Sequence, residues 1–318
     1  MNRLLFQRAR QTVVMMLLAS VVIFSMLRLI PGDPASLYVG DDATAEVIAA
    51  VTAKFGLDQP LPLQYWYWLT NALQGDLGAS YRSGIPVIEL IARTFPATLE
   101  LAVAASLIAA VLGLTTGTIA ALRPRSVLDS AITTINSVIL GVPGFWIGIL
   151  LIIVFSLWLR MLPPGGRVSI FENPIGGMRS LLLPAFALSL NTMAIWSRFM
   201  RSSLLGTLED DYIRTAVAKG LSYPRVVVGH ALRNAMIPVI TVMGVSFGRL
   251  LEGAVVIEAV FAWPGLGRLM VQSVSNRDYL VVQALFLLLV VIFLIVNFLV
   301  DISYGLLDPR IKTGQKQP

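Results

Sequence analysis

The strongest constraint on this chain comes from six long runs of apolar residues. The hydrocarbon core of a bilayer, about 30 Å thick, is crossed by an α-helix of about 20 mostly apolar residues. Because backbone groups in lipid must find their hydrogen bonds within the protein, such runs cross the membrane as helices. We therefore predict an all-α membrane protein with six transmembrane helices, at residues 12–30, 98–121, 131–159, 181–200, 236–257 and 281–300.

The composition supports membrane residence. Of the 318 residues, 56% are hydrophobic and 13% are charged, and the mean hydropathy is +0.78, so the chain is too apolar for a water-soluble core. The net charge of +6 fits loops that face the cytoplasm, and we expect no nucleic-acid partner. With no cysteine and one histidine, disulfides and thiolate metal sites are excluded and a histidine metal site is improbable.

The distribution of basic residues predicts the orientation. With a cytoplasmic N-terminus, 14 of the 24 Lys and Arg residues fall on the cytoplasmic side, so we expect both termini there. The first run follows Arg3, Arg8 and Arg10, as in a secretory signal, but no small-x-small cleavage site follows Ile30. We expect it to be an uncleaved anchor.

The third run is long for one span and contains a predicted breaking point. Gly141-Val142-Pro143-Gly144 combines a missing backbone N–H with missing Cβ atoms, which favours a kink in the helix.

The first loop, residues 31–95, is too long for a simple connector, and we expect it to be external and helical. An amphipathic helix is predicted at 43–55, a break at 56–60, and an aromatic helix through Tyr65, Trp66, Tyr67 and Trp68. Aromatic side chains with a polar group favour the lipid headgroup level, as in an interfacial helix. The alternative is a docking surface for an external partner.

The second long loop, residues 201–235, is predicted to be cytoplasmic. Ile213, Ala216, Val217 and Gly220 recur at three- and four-residue spacing, which predicts a short helix with a small, smooth stripe, ended by Gly220 and Pro224. Such a stripe fits a groove on a partner. The alternative is a connector helix that lies on the membrane.

This loop resembles that of the membrane subunits of type I ABC importers, which carries E-A-A, three residues, G, nine residues and I-x-L-P. Here Arg214-Thr215-Ala216 takes the E-A-A place, Gly220 the glycine and His230-Ala231-Leu232-Arg233 the last four positions. The spacing matches although several letters differ. The variant that begins at Asp211-Tyr212 is similar to the dipeptide and oligopeptide permease branch.

Further matches to the B-type subunit of that branch extend nearly from end to end. They are Arg28-Leu29-Ile30-Pro31-Gly32-Asp33-Pro34, Gly75-Asp76-Leu77-Gly78, Pro96-Ala97-Thr98-Leu99 and Val260-Phe261-Ala262-Trp263-Pro264-Gly265-Leu266-Gly267. The resemblance implies a peptide permease in the bacterial cytoplasmic (inner) membrane that works by alternating access. It also implies four kinds of partner: a homologous second permease subunit (C-type), two ABC ATPase subunits, an external or periplasmic solute-binding protein, and a peptide substrate.

The resemblance assigns the ATPase-coupling role to one set of residues in the second loop. These are Asp211, Tyr212, Arg214, Thr215, Ala216, Ala218, Lys219, Gly220, Leu221 and His230. The chain has no G-x-x-x-x-G-K-[ST] phosphate loop, so we expect no cofactor on it, with ATP and Mg on the partner subunits. The chain itself is then no enzyme.

Arg249 and Glu252 lie three residues apart in the middle of the fifth run, where each charge costs at least about 2.5 kcal/mol. They either pair with each other between helices or line the translocation path together with Asn136 and Ser246. After the same run, Glu258, Trp263, Pro264 and Gly265 form either a simple helix stop or an external docking or gate element.

Two other classes of function are weighed. Gly244-Val245-Ser246-Phe247-Gly248 spells the G-x-S-x-G of serine hydrolases, which requires a strand-to-helix turn and a nearby base; inside an apolar run it fits a G-x-x-x-G packing face better, like Gly113 with Gly117 and Gly144 with Gly148. Glu252 at midspan keeps an ion-coupled secondary transporter as the other alternative.

We therefore divide the chain into an N-terminal anchor helix with its external helical loop, residues 1–93, and an ABC transmembrane type-1 permease core, residues 94–318. The core holds five spans and the coupling loop at about 201–235. The resemblance leaves the substrate open among dipeptides, longer peptides, glutathione, nickel complexes and some sugars.

Overall fold

The computed structural model describes residues 2–28, 44–54 and 58–307. In these ranges the regular structure is helical, apart from one isolated β-bridge between Ala79 and Pro86. The α-helices are α1 (Asn2–Arg28), α2 (Ala45–Lys54), α3 (Leu61–Leu73), α4 (Val87–Leu122), α5 (Val127–Gly141), α6 (Gly144–Leu151), α7 (Pro174–Leu208), α8 (Asp211–Ala218), α9 (Tyr223–Val226), α10 (Leu232–Val260), α11 (Leu266–Ser275) and α12 (Tyr279–Leu307). Two π-helices, Ile152–Trp158 and Val227–Ala231, extend α6 and join α9 to α10.

Within residues 2–28, 44–54 and 58–307, five helical segments are long and apolar enough to cross a membrane. They are Arg8–Met26, Val87–Leu122, Pro174–Leu208, Tyr223–Val260 and Tyr279–Phe298, and each contains most of one predicted apolar run. The sixth predicted run falls on α5, α6 and the first π-helix, which together form a bent pair. The all-α membrane fold is confirmed, with five spans, or six if the bent pair is one span.

The bent pair is broken far more sharply than a kink. Its two halves, Val127–Gly141 and Gly144–Trp158, make an angle of 102°. Val142 ends α5 in an extended conformation, with φ −106° and ψ 132°. The cause is Pro143, whose ring disfavours the helical conformation for the residue before it. The predicted breaking point is confirmed, but the prediction of one kinked helix is wrong.

The chain divides into two compact units, each with its own packing. Of the described residues, one unit contains those within Thr98–Trp263 and from Val296 to Leu307, and the other contains those within Asn2–Ala97 and Pro264–Ile295. The predicted domains are two consecutive stretches of sequence that meet between residues 93 and 94. Each compact unit, in contrast, combines segments that are far apart in the sequence.

In the unit that contains Thr98–Trp263, α4 and α7 pack closely at glycines. A Cβ added to Gly113 would lie 3.2 Å from Trp196 Cβ, and one added to Gly117 would lie 2.7 Å from Met200 Cβ. Small residues at four-residue spacing let helix backbones approach in lipid. The predicted packing face at Gly113 and Gly117 is therefore confirmed.

In the other unit, the aromatic helix α3 lies against the first span. The Tyr65 ring contacts Phe24 edge to face at 5.5 Å, and its hydroxyl is 2.8 Å from that of Ser20. Trp66 and Tyr67 lie on the exposed side of α3, which has no charged residue. This arrangement favours the interfacial helix over a docking surface, because α3 lies beside an apolar span and is itself uncharged.

Three predicted features fall partly outside the described residues. They are the start of the external loop with the motif through Pro34, the Gly56-Leu57 part of the break, and the cytoplasmic tail beyond Leu307.

We expect Gly117→Ala to destabilise the protein, because the added methyl group would meet both the backbone of Ser197 and the side chain of Met200. The matched change Gly206→Ala adds a methyl group to α7 where no atom lies within 4 Å, and should be neutral or stabilising by up to about 1 kcal/mol. Thermal unfolding of the two purified variants in detergent gives the comparison. Equal midpoints would contradict the close packing of α4 on α7.

Candidate functional site

The loop between α7 and α10 contains the predicted short helix, and its ends follow from the sequence. Asp211 lies in the first turn of α8, where a carboxylate is favoured by the helix dipole. At the other end Gly220 adopts φ +80°. Its N–H donates to Val217 O at 2.9 Å, and the Leu221 N–H donates to Ala216 O at 3.4 Å, the pattern of a Schellman cap. The predicted helix end at Gly220 is confirmed, whereas Pro224 lies in the first turn of the next helix, α9.

The apolar face of α8 is covered by the rest of the chain. Ile213 and Ala216 are only 5% and 8% exposed. They belong to one buried apolar cluster that joins four helices, the second π-helix and α8 itself. Its other members are Ala121 of α4, Met200 and Leu204 of α7, Val226 of α9, Ala231 of the π-helix, and Ala235 and Val239 of α10.

The sequence predicted that the stripe through Ile213 and Ala216 fits a groove on a partner, whereas in the structure helices of the same chain cover these two residues. The coupling role of Ala216 stays a prediction. Apolar spacing identifies the buried side of a helix but does not tell whether its own chain or another covers it. Here the chain itself covers this side, and Ala216 packs α8 against its neighbouring helices.

The opposite face of the loop is open. Val217 is 52% exposed, and Tyr223 and Val228 also lie on the surface. The other predicted coupling residues lie on this face or at its edge, with Leu221 half-buried. They are Asp211, Tyr212, Arg214, Thr215, Ala218, Lys219, Gly220, Leu221 and His230. Any partner of this loop meets a mainly polar surface with a few apolar side chains.

Hydrogen bonds also join α7 to α10 and α10 to α8. Ser203 Oγ of α7 donates to Ala235 O of α10 at 2.8 Å, and Asn234 Nδ2 donates to Tyr212 Oη of α8 at 2.8 Å. Together with the apolar cluster, these bonds make the position of α8 depend on α7 and α10.

An ion pair near this loop was not predicted from the sequence. Arg201 Nε and Nη2 of α7 donate to the two carboxylate oxygens of Asp129 at 2.6 and 2.8 Å. Asp129 is buried in the first turn of α5. The two residues lie 72 positions apart, so no local pattern connects them.

Two of the four predicted path residues are buried and do not face an open surface. Asn136 Nδ2 donates to Ser197 Oγ at 2.9 Å, and Thr116 Oγ1 lies in hydrogen-bonding contact with the same oxygen. Ser246 is buried on α10. Asn136 thus links α5 to α7, a contact that holds helices together in lipid.

Arg249 and Glu252, in contrast, are both exposed on α10. No ion pair joins them within the described part of the chain. The interpretation as a mutual ion pair buried between helices is therefore wrong. Two charges at midspan that are open to the surroundings of the chain must meet water or another protein, because lipid would raise their free energy.

The segment after α10 is a helix stop built on buried groups. Glu258 is fully buried and accepts a hydrogen bond from Thr98 Oγ1 at 2.6 Å, and Trp263 is fully buried as well. The chain turns at Ala262, which has φ 49°. Gly265 is also buried, whereas Pro264 is exposed. External docking by this segment stays a prediction, as does a gate role.

The G-x-S-x-G sequence lies within the continuous helix α10, which lacks the strand-to-helix turn that a nucleophile elbow requires. Among the residues that the structure describes, no group of three or more His, Asp and Glu side chains could hold a metal ion.

Known proteins match the chain nearly from end to end. The family described as binding-protein-dependent transport system inner membrane component matches residues 113–313, and the N-terminal family of the same membrane components matches residues 1–102. A peptide transport system permease protein of Brucella abortus is 41% identical over 312 residues, 98% of this chain and 99% of the relative. The glutathione transport system permease protein of Escherichia coli K12 is 43% identical over 295 residues, 93% and 94% of the two chains.

Matches of this length and identity exclude the two alternative functions considered from the sequence, a serine hydrolase and an ion-coupled secondary transporter. They also agree with the several apolar helices and with a location in the bacterial inner membrane. The chain therefore belongs to the binding-protein-dependent transport system inner membrane components, and is a multi-pass permease subunit of an ABC importer.

Proposed function

We propose that this permease imports peptides by alternating access. The support is the similarity to a relative named for peptide transport and to another named for glutathione transport; glutathione is itself a modified tripeptide. A substrate of this class carries both a cationic amino group and anionic carboxylates, and Arg249 and Glu252 offer one charge of each sign on an open face of α10.

The proposed assembly contains a homologous C-type second permease, two ABC ATPase subunits and an external solute-binding protein. ATP and Mg bind the ATPase subunits, since the chain has no phosphate-binding loop. The membership in a binding-protein-dependent system supports the existence of further subunits, and the individual partners are our inference.

Both termini are inferred to be cytoplasmic. An even number of crossings returns the chain to the side on which it started, and counting the bent pair as one crossing gives six. The 14 of 24 basic residues on the proposed cytoplasmic side support the same orientation.

The ATPase contact is inferred to be the exposed face of the loop, around Tyr212, Arg214, Val217 and Lys219. The buried face, with Ile213 and Ala216, packs on α7 and α10. A partner that moves α8 therefore displaces both spans, because packed elements transmit displacement and deform little. This two-sided helix is the observation that carries the proposal.

The first test is ATP-dependent uptake. We expect the chain, expressed with its genomic partner genes, to copurify with an ATPase subunit and to import labelled peptide into proteoliposomes only when ATP and binding protein are supplied. Uptake driven by an ion gradient without ATP would contradict the proposal.

The second test separates the backbone role of Gly220 from its size. A left-handed residue with a branched Cβ is strained by roughly 1–2 kcal/mol, whereas Asn tolerates this conformation. We expect Gly220→Val to reduce uptake strongly and Gly220→Asn to retain most of it, with Gly220→Arg inactive; membrane insertion is measured as the control. Equal losses in the Val and Asn variants would show that a close partner contact, and not backbone conformation, requires glycine.

The third test concerns the path. Replacing Arg249 and Glu252 together by Ala should raise the KM for a zwitterionic dipeptide, because both charges are open to the surroundings. The control is the exposed ion pair of Arg93 with Glu89, likewise replaced by Ala, for which we expect unchanged uptake. Wild-type kinetics in the Arg249 and Glu252 variant would remove these residues from the path.

A further inference from the structure

The segment of α7 around Arg201 is in contact with two other parts of the unit. Met200 and Leu204 are almost completely buried in the cluster that holds Ile213 and Ala216 of α8. Arg201, between them in sequence, instead makes the two hydrogen bonds to Asp129 of α5. One turn of α7 therefore contacts the coupling loop on one side and the start of α5 on another.

Asp129 in turn organises the connection from α4 to α5. Its carboxylate accepts the Arg125 N–H at 3.0 Å, and its own N–H donates to Ser126 Oγ at 3.1 Å. Arg125 has φ 60°, a conformation that is strained for a residue with a side chain. The carboxylate thus fixes a strained turn and the first turn of α5 at the same time.

Further polar contacts follow along the same pair of helices. Asn136 contacts Ser197 at 2.9 Å, and Arg198 Nη2 donates to Ser137 Oγ at 3.3 Å. Helix α5 is thus joined to α7 by polar contacts at Asp129 and again further along the helix, at Asn136 and Ser137. Helix α4, in contrast, packs on α7 through glycines. Beyond these contacts, α5 ends at the 102° bend.

In this ion pair Asp129 is buried and Arg201 is partly exposed. Burying a charge offsets much of what an ion pair contributes to stability, and well-packed apolar residues often stabilise as much or more. A bidentate Arg–carboxylate pair does fix distance and orientation. The bidentate geometry of the Asp129–Arg201 pair is therefore better explained by a role in positioning α5 against α7 than by a contribution to the free energy of unfolding.

We propose that Asp129 and Arg201 are positioning residues that pass displacement of α8 through α7 to α5 and its bend. The inference rests on the proposed function, in which an ATPase subunit moves α8. Without the ion pair, α8 would still move α7 and α10 through the apolar cluster, but α5 would follow less closely.

The test uses the complete transporter with its ATPase subunits and binding protein in proteoliposomes, and measures peptide uptake per ATP hydrolysed. We expect Asp129→Asn to lower this ratio about tenfold, the size of effect that fits loss of a charge-assisted hydrogen bond. Arg201→Lys, which keeps the charge but not the bidentate geometry, should give an intermediate ratio.

A second variant separates positioning from folding. The double change Asp129→Leu with Arg201→Met leaves no buried charge without a partner, so we expect the amount of assembled transporter to match the wild type. The ratio of uptake to ATP hydrolysis should nevertheless stay low. If this double variant transports with the wild-type ratio, the pair is only structural and the inference is wrong.

Two other ion pairs serve as controls. Glu89→Gln removes the exposed pair with Arg93, and Glu100→Gln removes the partly buried pair with Arg167. Neither pair belongs to the apolar cluster around α8 or to the hydrogen bonds between Arg201 and Asp129, so both variants should keep the wild-type ratio per assembled complex. An Asp129→Asn ratio equal to that of Glu100→Gln would overturn the inference, whereas absence of ATP-driven uptake in the wild type would instead overturn the proposed function.

Discussion

The arrangement of this permease depends on the burial of Ile213 and Ala216 against Met200 and Leu204. A helix of eight residues such as α8 has no stability of its own in water. It exists because apolar side chains of α7, α9 and α10 cover one of its faces. The position of α8 is therefore set by the helices that cover it, and displacement of α8 displaces those helices in turn.

Helix α7 is the element on which this unit is assembled, and its neighbours contact it through different physical interactions. Helix α4 approaches through Gly113 and Gly117, α8 through apolar side chains, and α5 through hydrogen bonds and the ion pair of Asp129 with Arg201. Apolar contacts allow small sliding, whereas a bidentate ion pair fixes register. The three neighbours are thus expected to follow α7 to different degrees.

Two sets of charged residues in the helices of this unit differ in their surroundings. Asp129 and Glu258 are buried and hydrogen-bonded to partners on other helices, as the cost of an isolated buried charge requires. Arg249 and Glu252 are exposed at midspan. The first set holds helices together, and the second set marks a surface that does not face lipid.

The sequence alone determined the helical membrane class, the positions of the spans, the ends of α8 near Asp211 and Gly220, and the family, because hydropathy, capping residues and a spaced motif are local properties. Tertiary structure alone decided which face of α8 is covered and that α5 and α6 meet at 102°. It also placed Asp129 beside Arg201, and it buried Asn136 while leaving Arg249 exposed. Periodicity gives a helix its apolar side but not the neighbour that covers it, and contacts between residues far apart in the chain leave no local pattern.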